Sequence, residues 1–310
     1  MHIYAWIAFN VFVIILLMLD LGVFHKGSRT ISVKEALVWS VIWIVVALLF
    51  NAGVWYVYGA QKGLEFFTCY LIERSLSIDN IFVFILIFNY FRVHPEYQYK
   101  VLFWGIIGAM VMRALFILAG TALIVKFHWT IYIFGALLVY VGIKLAFQKD
   151  QEMHPEKNPV LTLARKIFPI CGWQDSDKFI LKCDGKTCLT PLFLVLLVVE
   201  STDVVFAIDS IPAALAITLD SFIVYSSNIL AILGLRALYF ALAGSMDKFR
   251  FLNYGLAVVL SFVGVKMLLT DLYKISIGAS LGFIGFILTA AMVLSIVIKV
   301  PELQQSGTPK

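Results

Sequence analysis

Six side chains able to bind a cation stand in two matched apolar stretches: Glu73, Asp79 and Asn80 in the first, Glu200, Asp203 and Asp209 in the second. The cores read Glu73-Arg74-Ser75-Leu76-Ser77-Ile78-Asp79-Asn80-Ile81 and Asp203-Val204-Val205-Phe206-Ala207-Ile208-Asp209-Ser210-Ile211. Each places a second acid six positions after the first, within an Ile-Asp-polar-Ile core, and the copies are 130 positions apart. A carboxylate at the centre of a spanning helix costs about 2.5–3.5 kcal/mol or more, so such acids face a partner, a cavity or an ion path. Two matched sets predict one composite site. Carboxylates, an amide and backbone carbonyls are hard oxygen ligands suited to magnesium, calcium or manganese. No histidine lies deep in an apolar run and Cys69 is the only cysteine in one, which disfavours zinc and copper.

On an unbroken helix, residues six apart point about 120° away from each other, so Glu73 and Asp79 share an ion only if the helix breaks. Pro212 supplies a cause of breakage in the second copy, because it has no N–H for the carbonyl of Ile208. Glu200 lies three positions before Asp203, on the same face. Ser75, Ser77 and Asn80 add polar groups to the first copy, which has no proline.

The elements that must position these groups are membrane spans. Of the 310 residues, 62% are hydrophobic and 14% charged, well below the roughly 25% charged residues of soluble domains. Runs of about 20 apolar residues are read as spanning helices, here 5–24, 36–58, 64–90, 101–125, 129–147, 190–218, 222–244, 251–270 and 277–298. Their continuity argues against a barrel. The expected fold is an all-α polytopic membrane protein, with about nine transmembrane helices containing two inverted three-helix repeats. The first run lacks a basic start and a cleavage site, so it is expected to be retained.

The repeats follow from three matches in the same order. Besides the acidic stretches, Arg113-Ala114-Leu115-Phe116 answers Arg236-Ala237-Leu238-Tyr239, and Val141-Gly142-Ile143-Lys144 answers Val263-Gly264-Val265-Lys266. An odd number of spans per copy makes the second copy enter from the opposite side, as in secondary transporters with sites at the midplane. The expected division is 1–63 for two leading helices, 64–147 for the first repeat, 148–189 for a cytoplasmic linker with a small hairpin, 190–270 for the second repeat and 271–310 for the ninth helix and tail. Gly278, Gly282 and Gly285 offer that helix a small-residue packing face.

Sixteen of the 24 basic residues fall on the cytoplasmic side if the amino terminus is outside, against Lys62, Lys126 and Lys274 on the other. That asymmetry orients the chain, with the carboxyl terminus cytoplasmic. The net charge of +5 is then topology signal and not a nucleic-acid footprint. Cys171, Cys183 and Cys188 lie in the linker on the reducing side, where disulfides are not expected, and Asp184-Gly185 reads as a two-residue hairpin turn. Asp20 is expected to be an interfacial acid at the cytoplasmic end of the first span, with a role in the ion path as the alternative. Arg74, Arg113, Arg236, Lys144 and Lys266 are the intramembrane cations, as charge partners of the acids or as gating groups. A purely structural use of so many buried charges is the weaker reading, since buried pairs contribute little net stability.

At these residues the chain resembles the TerC family of integral membrane proteins. The resemblance extends over Leu19 to Phe24, Lys34 to Ser40, Glu73 to Phe84, Trp104 to Arg113, Val199 to Ala213 and Ser227 to Arg236. It implies membership of a wider lysine-exporter-like superfamily, an association with manganese export and, by name, with tellurium resistance. The family's acidic motifs fall on Glu73, Asp79, Asn80, Glu200, Asp203 and Asp209. The residues alone reach a transporter for a hard cation; manganese and the outward direction come from the resemblance.

The first expectation is therefore a secondary transporter in a bacterial inner membrane, exporting manganese in exchange for protons. Its partners would be the lipid bilayer, a divalent metal ion as substrate and protons, with no tightly bound cofactor and no nucleic acid. Nothing resembles an ATP-binding loop. The alternative is a membrane scaffold that recruits soluble stress-response proteins through the 148–189 loop. An enzyme is disfavoured, because no nucleophile-base constellation accompanies the acids.

Overall fold

The computed structural model describes residues 3–24, 32–147, 158–170, 178–183, 186–242, 251–273 and 275–297, of which 21–24, 79, 182, 183, 186, 187 and 296 are described in backbone only. Among them are eleven helices: α1 (Ile3–Phe24), α2 (Val33–Tyr58), α3 (Ala60–Tyr90), α4 (Pro95–Lys126), α5 (Thr130–Phe147), α6 (Pro159–Ile167), α7 (Pro191–Leu215), α8 (Ser221–Leu233), α9 (Leu235–Leu242), α10 (Leu252–Leu268) and α11 (Ile277–Val297). Strands β1 (Ile180–Cys183) and β2 (Lys186–Leu189) form an antiparallel hairpin around 184–185. Its register opposes Cys183 to Lys186 and Cys188 to Leu181, so the two cysteines are not cross-strand partners.

Among the described residues, seven stretches are long and apolar enough to cross a membrane: α1, α2, α4, α5, α7, α8 taken together with α9, and α11. The chain is an all-α polytopic membrane protein. Helix α3 spans 31 residues but carries Glu65, Glu73, Arg74 and Asp79, and α10 has 17 residues.

The α8–α9 unit is the axis of the bundle. Every residue from Phe222 to Leu233 is buried, whereas little of α1, α2 and α11 is buried, as befits lipid-facing helices. Trp6 and Phe9 of α1 pack on Phe222 and Tyr225, and the Tyr225 hydroxyl donates to Asn10 Oδ1 at 2.9 Å. The apolar run at 222–244 is one expected helix; in the structure it is interrupted at Gly234. A side chain there would meet Arg74 Nη1 at 2.6 Å and Trp43 Cβ at 3.1 Å, so the absence of a Cβ permits the close approach of α2 and α3.

The break expected at Pro212 is not found. Helix α7 runs through Pro212 to Leu215, with the proline one turn from its end, where losing a single N–H is tolerated. Nor is there a loop between the expected runs 36–58 and 64–90. Gly59 alone, at φ 88°, separates α2 from α3, which begins at Ala60. Gly278, Gly282 and Gly285 do not form a packing face against the described residues, since a side chain at any of them would meet nothing there within 4 Å.

Helices α5 and α10 pack backbone to backbone. A methyl group on Gly142 would lie 2.7 Å from the Ala257 carbonyl oxygen and 2.9 Å from the Ser261 nitrogen. One on Gly264 would lie 2.7 Å from the Gly135 carbonyl oxygen and 2.8 Å from the Val139 nitrogen. Rising positions on α5 meet falling positions on α10, so the pair is antiparallel.

Two contacts mark one end of the bundle. Lys62 Nζ lies 3.2 Å from Asp220 Oδ2, joining the starts of α3 and α8, and His128 Nε2 lies 3.3 Å from Asp271 Oδ2, joining the ends of α4 and α10. The hairpin belongs to the other end, where Lys100 Nζ lies 5.3 Å from the Phe179 ring centroid.

Candidate functional site

The densest buried charge in the structure is gathered by Arg113 of α4, which has no exposed surface. Its Nη1 donates to Glu73 Oε1 of α3, to Asn228 Oδ1 of α8 at 2.9 Å and to Ser210 Oγ of α7 at 3.4 Å. Its Nη2 donates to Asp203 Oδ1 of α7 at 3.3 Å. One guanidinium thus ties four elements, and its fork geometry suits two carboxylates at once. The cluster is not saturated. Glu73 Oε2, Asp203 Oδ2, Asn228 Nδ2, Ser77 Oγ and Arg113 Nε are all buried without a hydrogen-bond partner among the described residues. Two hard carboxylate oxygens are therefore left open beside the guanidinium, the kind of donor that accepts a cation.

Glu73 and Asp203 are matched positions of the two acidic stretches and meet at this cluster. Asp203 is buried against Arg113 on continuous α7, and Asp209 is half-buried on the same helix. Asn80 is buried on α3. Glu200 is half-buried against Gly108 of α4, where any side chain would collide with its carboxylate. The Asp79 side chain lies outside the described residues. Among the described residues no three His, Cys, Asp or Glu side chains converge to hold a metal ion.

The other intramembrane cations divide. Arg236 of α9 forms an ion pair with Asp20 of α1 and lies over the Tyr99 ring, 4.3 Å from its centroid. Asp20 is 4% exposed, because α1 packs along the central unit. Arg74 Nη1 donates to the Ala231 carbonyl at 3.0 Å, satisfying the end of α8 where Gly234 interrupts it. Lys144 is exposed and Lys266 half-buried, neither with an acidic partner among the described residues.

Reasoning from acids alone missed Asn228 and Ser210 as members of the cluster. The signal was available: Ser226-Ser227-Asn228 is a polar triplet inside an apolar run, and such groups in a span need partners. Also unforeseen is α6 within the linker. Its capping residue Asn158 donates through Nδ2 to Ser201 Oγ at 2.7 Å, beside Glu200.

The sequence model of the integral membrane protein TerC family matches residues 58–302, which contain all four elements of the cluster. The chain belongs to the TerC family. TerC-type relatives align over nearly the whole length. An uncharacterized membrane protein of Myxococcus xanthus is 48% identical over 94% of this chain and 92% of its own. Proteins named putative membrane-bound redox modulator Alx are 44% identical in Salmonella typhi, over 94% of this chain and 93% of theirs. The Alx protein of Escherichia coli K12 is 41% identical over 97% of both chains. No solved structure matches the chain.

Proposed function

We propose that this TerC-family protein is a secondary transporter in a bacterial inner membrane. It exports a divalent cation, manganese first among candidates, in exchange for protons. The carrying observation is the pair Glu73 and Asp203, buried acids with one carboxylate oxygen each left open. Manganese and outward transport rest on the family resemblance, and hard oxygen donors are compatible with that ion. Glu200, Asp209, Asp79 and Asn80 complete the path on either side of the cluster. Acids vacated by the cation would take protons, which provides a route to exchange.

The packing of α5 on α10 supports alternating access by inverted repeats. A shift of 122 positions carries Gly142 to Gly264, Gly135 to Ala257 and Val139 to Ser261. The contacts of Gly142 with Ala257 and Ser261 therefore exchange with those of Gly264 with Gly135 and Val139. Such exchange between antiparallel helices is what a two-fold axis across the helices, in the membrane plane, requires. The amino terminus is proposed outside and the hairpin and carboxyl terminus in the cytoplasm.

The test is manganese flux in proteoliposomes containing only this protein. Manganese-dependent flux with counter-movement of protons supports the reading. Absence of flux for manganese, magnesium and calcium overturns it and favours the scaffold that recruits soluble proteins through 148–189.

A further inference from the structure

We infer that Arg113 is a tethered counter-cation: in the empty transporter its guanidinium occupies the carried ion's place between Glu73 and Asp203, and it must leave when a divalent cation binds. This rests on the transport reading above. Switching an empty carrier between its two faces means holding buried acids inside the membrane without their ion, and uncompensated carboxylates there are costly. Arg113 removes part of that charge from within the chain.

The geometry favours competition over co-occupancy. Arg113 approaches one oxygen of each acid and leaves Glu73 Oε2 and Asp203 Oδ2 bare. A divalent ion bound to those two oxygens would sit next to a full positive charge in a site that excludes water, where like charges repel strongly. The guanidinium is also imperfectly satisfied, since Nε has no acceptor and the bond to Ser210 is long at 3.4 Å.

The matched arginine provides an internal contrast. Arg236 is engaged by Asp20 of α1, outside the proposed repeats, and stacks on Tyr99. It is held away from the acids that Arg113 joins. One arginine of the pair is thus anchored to the scaffold and the other to the transport acids.

Displacing an internal competitor lowers apparent affinity by the fraction of protein that is competent to bind. Removing the competitor should therefore tighten substrate binding while it harms the return of the empty carrier. The experiment compares the parent with R113Q and R113K in three measurements: manganese affinity of the purified protein, manganese–manganese exchange, and net manganese efflux. For R113Q the expected result is affinity raised about tenfold or more, exchange retained and net efflux lost. R113K keeps the charge but cannot bridge both acids and Asn228 at once, so it should bind manganese more tightly than the parent and keep some net efflux. It also serves if R113Q does not accumulate. Weaker manganese binding in the accumulating variants, or equal loss of exchange and net efflux, makes Arg113 a structural brace and overturns the inference. A parent that neither binds nor moves manganese refutes the transport reading itself, a result distinct from either.

Discussion

Glu73 and Asp203 stand 130 positions apart and are joined through one guanidinium, with Arg113 Nη1 on Glu73 Oε1 and Nη2 3.3 Å from Asp203 Oδ1. The relationship couples α3, α4 and α7 at a buried point. Breaking one partner of a buried ion pair costs about 3–5 kcal/mol, because the charge left behind has no compensation.

Glu73→Gln should therefore lose both function and stability. Arg113 would keep Asp203 and Asn228, so the protein should still insert, but with a lower unfolding temperature in detergent and no manganese efflux. Parent-like efflux would remove Glu73 from the ion path.

The Asp20 and Arg236 pair should behave differently, since it ties the first helix to the central unit away from the open oxygens. Asp20→Asn should lower thermal stability while efflux per folded molecule stays close to that of the parent. In a double-mutant cycle with Arg236→Gln, the pair should show a coupling energy on the order of 1–3 kcal/mol. Additive losses would mean the two residues are energetically independent.

Gly234 should tolerate little. A methyl group there comes 2.6 Å from Arg74 Nη1, and pushing the guanidinium aside exposes the Ala231 carbonyl it satisfies. Gly234→Ala is expected to cost about 1–3 kcal/mol. In a protein that already carries Arg74→Ala the same change should cost less, because the obstacle is gone. Equal costs in both backgrounds would show that Arg74 is not what the glycine makes room for.

Hydropathy made the membrane helices legible, because long apolar runs have few alternatives to a spanning helix. The positions of Glu73, Asp203 and Arg113 were legible as rare charges in such runs, but their pairing was not. That the matched acids Glu73 and Asp203 meet on one guanidinium could not be read from their spacing. A linear pattern gives the face of a residue only on its own helix; which faces meet depends on how helices pack. The Gly234 interruption escaped notice for the same reason. A single glycine in an apolar helix carries a modest penalty of about 1 kcal/mol, and only the neighbouring Arg74 and Trp43 give it a purpose.

Orientation can be read from the two marked ends. His128→Cys, at the end shared with Asp271, should react with an impermeant thiol reagent added outside cells, whereas Ile180→Cys in the hairpin should react only after permeabilisation. Labelling with the opposite sidedness would reverse the proposed direction of export.

The proposed inverted symmetry makes a paired demand on α5 and α10. If the two-fold exchange is real, a cross-link between positions 142 and 261 must have a counterpart between 264 and 139, because the shift of 122 converts one pair into the other. In a protein lacking its native cysteines, Gly142→Cys with Ser261→Cys and Val139→Cys with Gly264→Cys should both cross-link with a short thiol reagent. Both pairs place added atoms within about one contact distance of the opposing backbone. A control pairing Gly142→Cys with Val265→Cys, which joins opposite ends of the antiparallel contact, should not react. If only one of the two pairs forms in well-folded protein, the helices pack without the exchange relation, and the rocking of two inverted halves loses its structural basis.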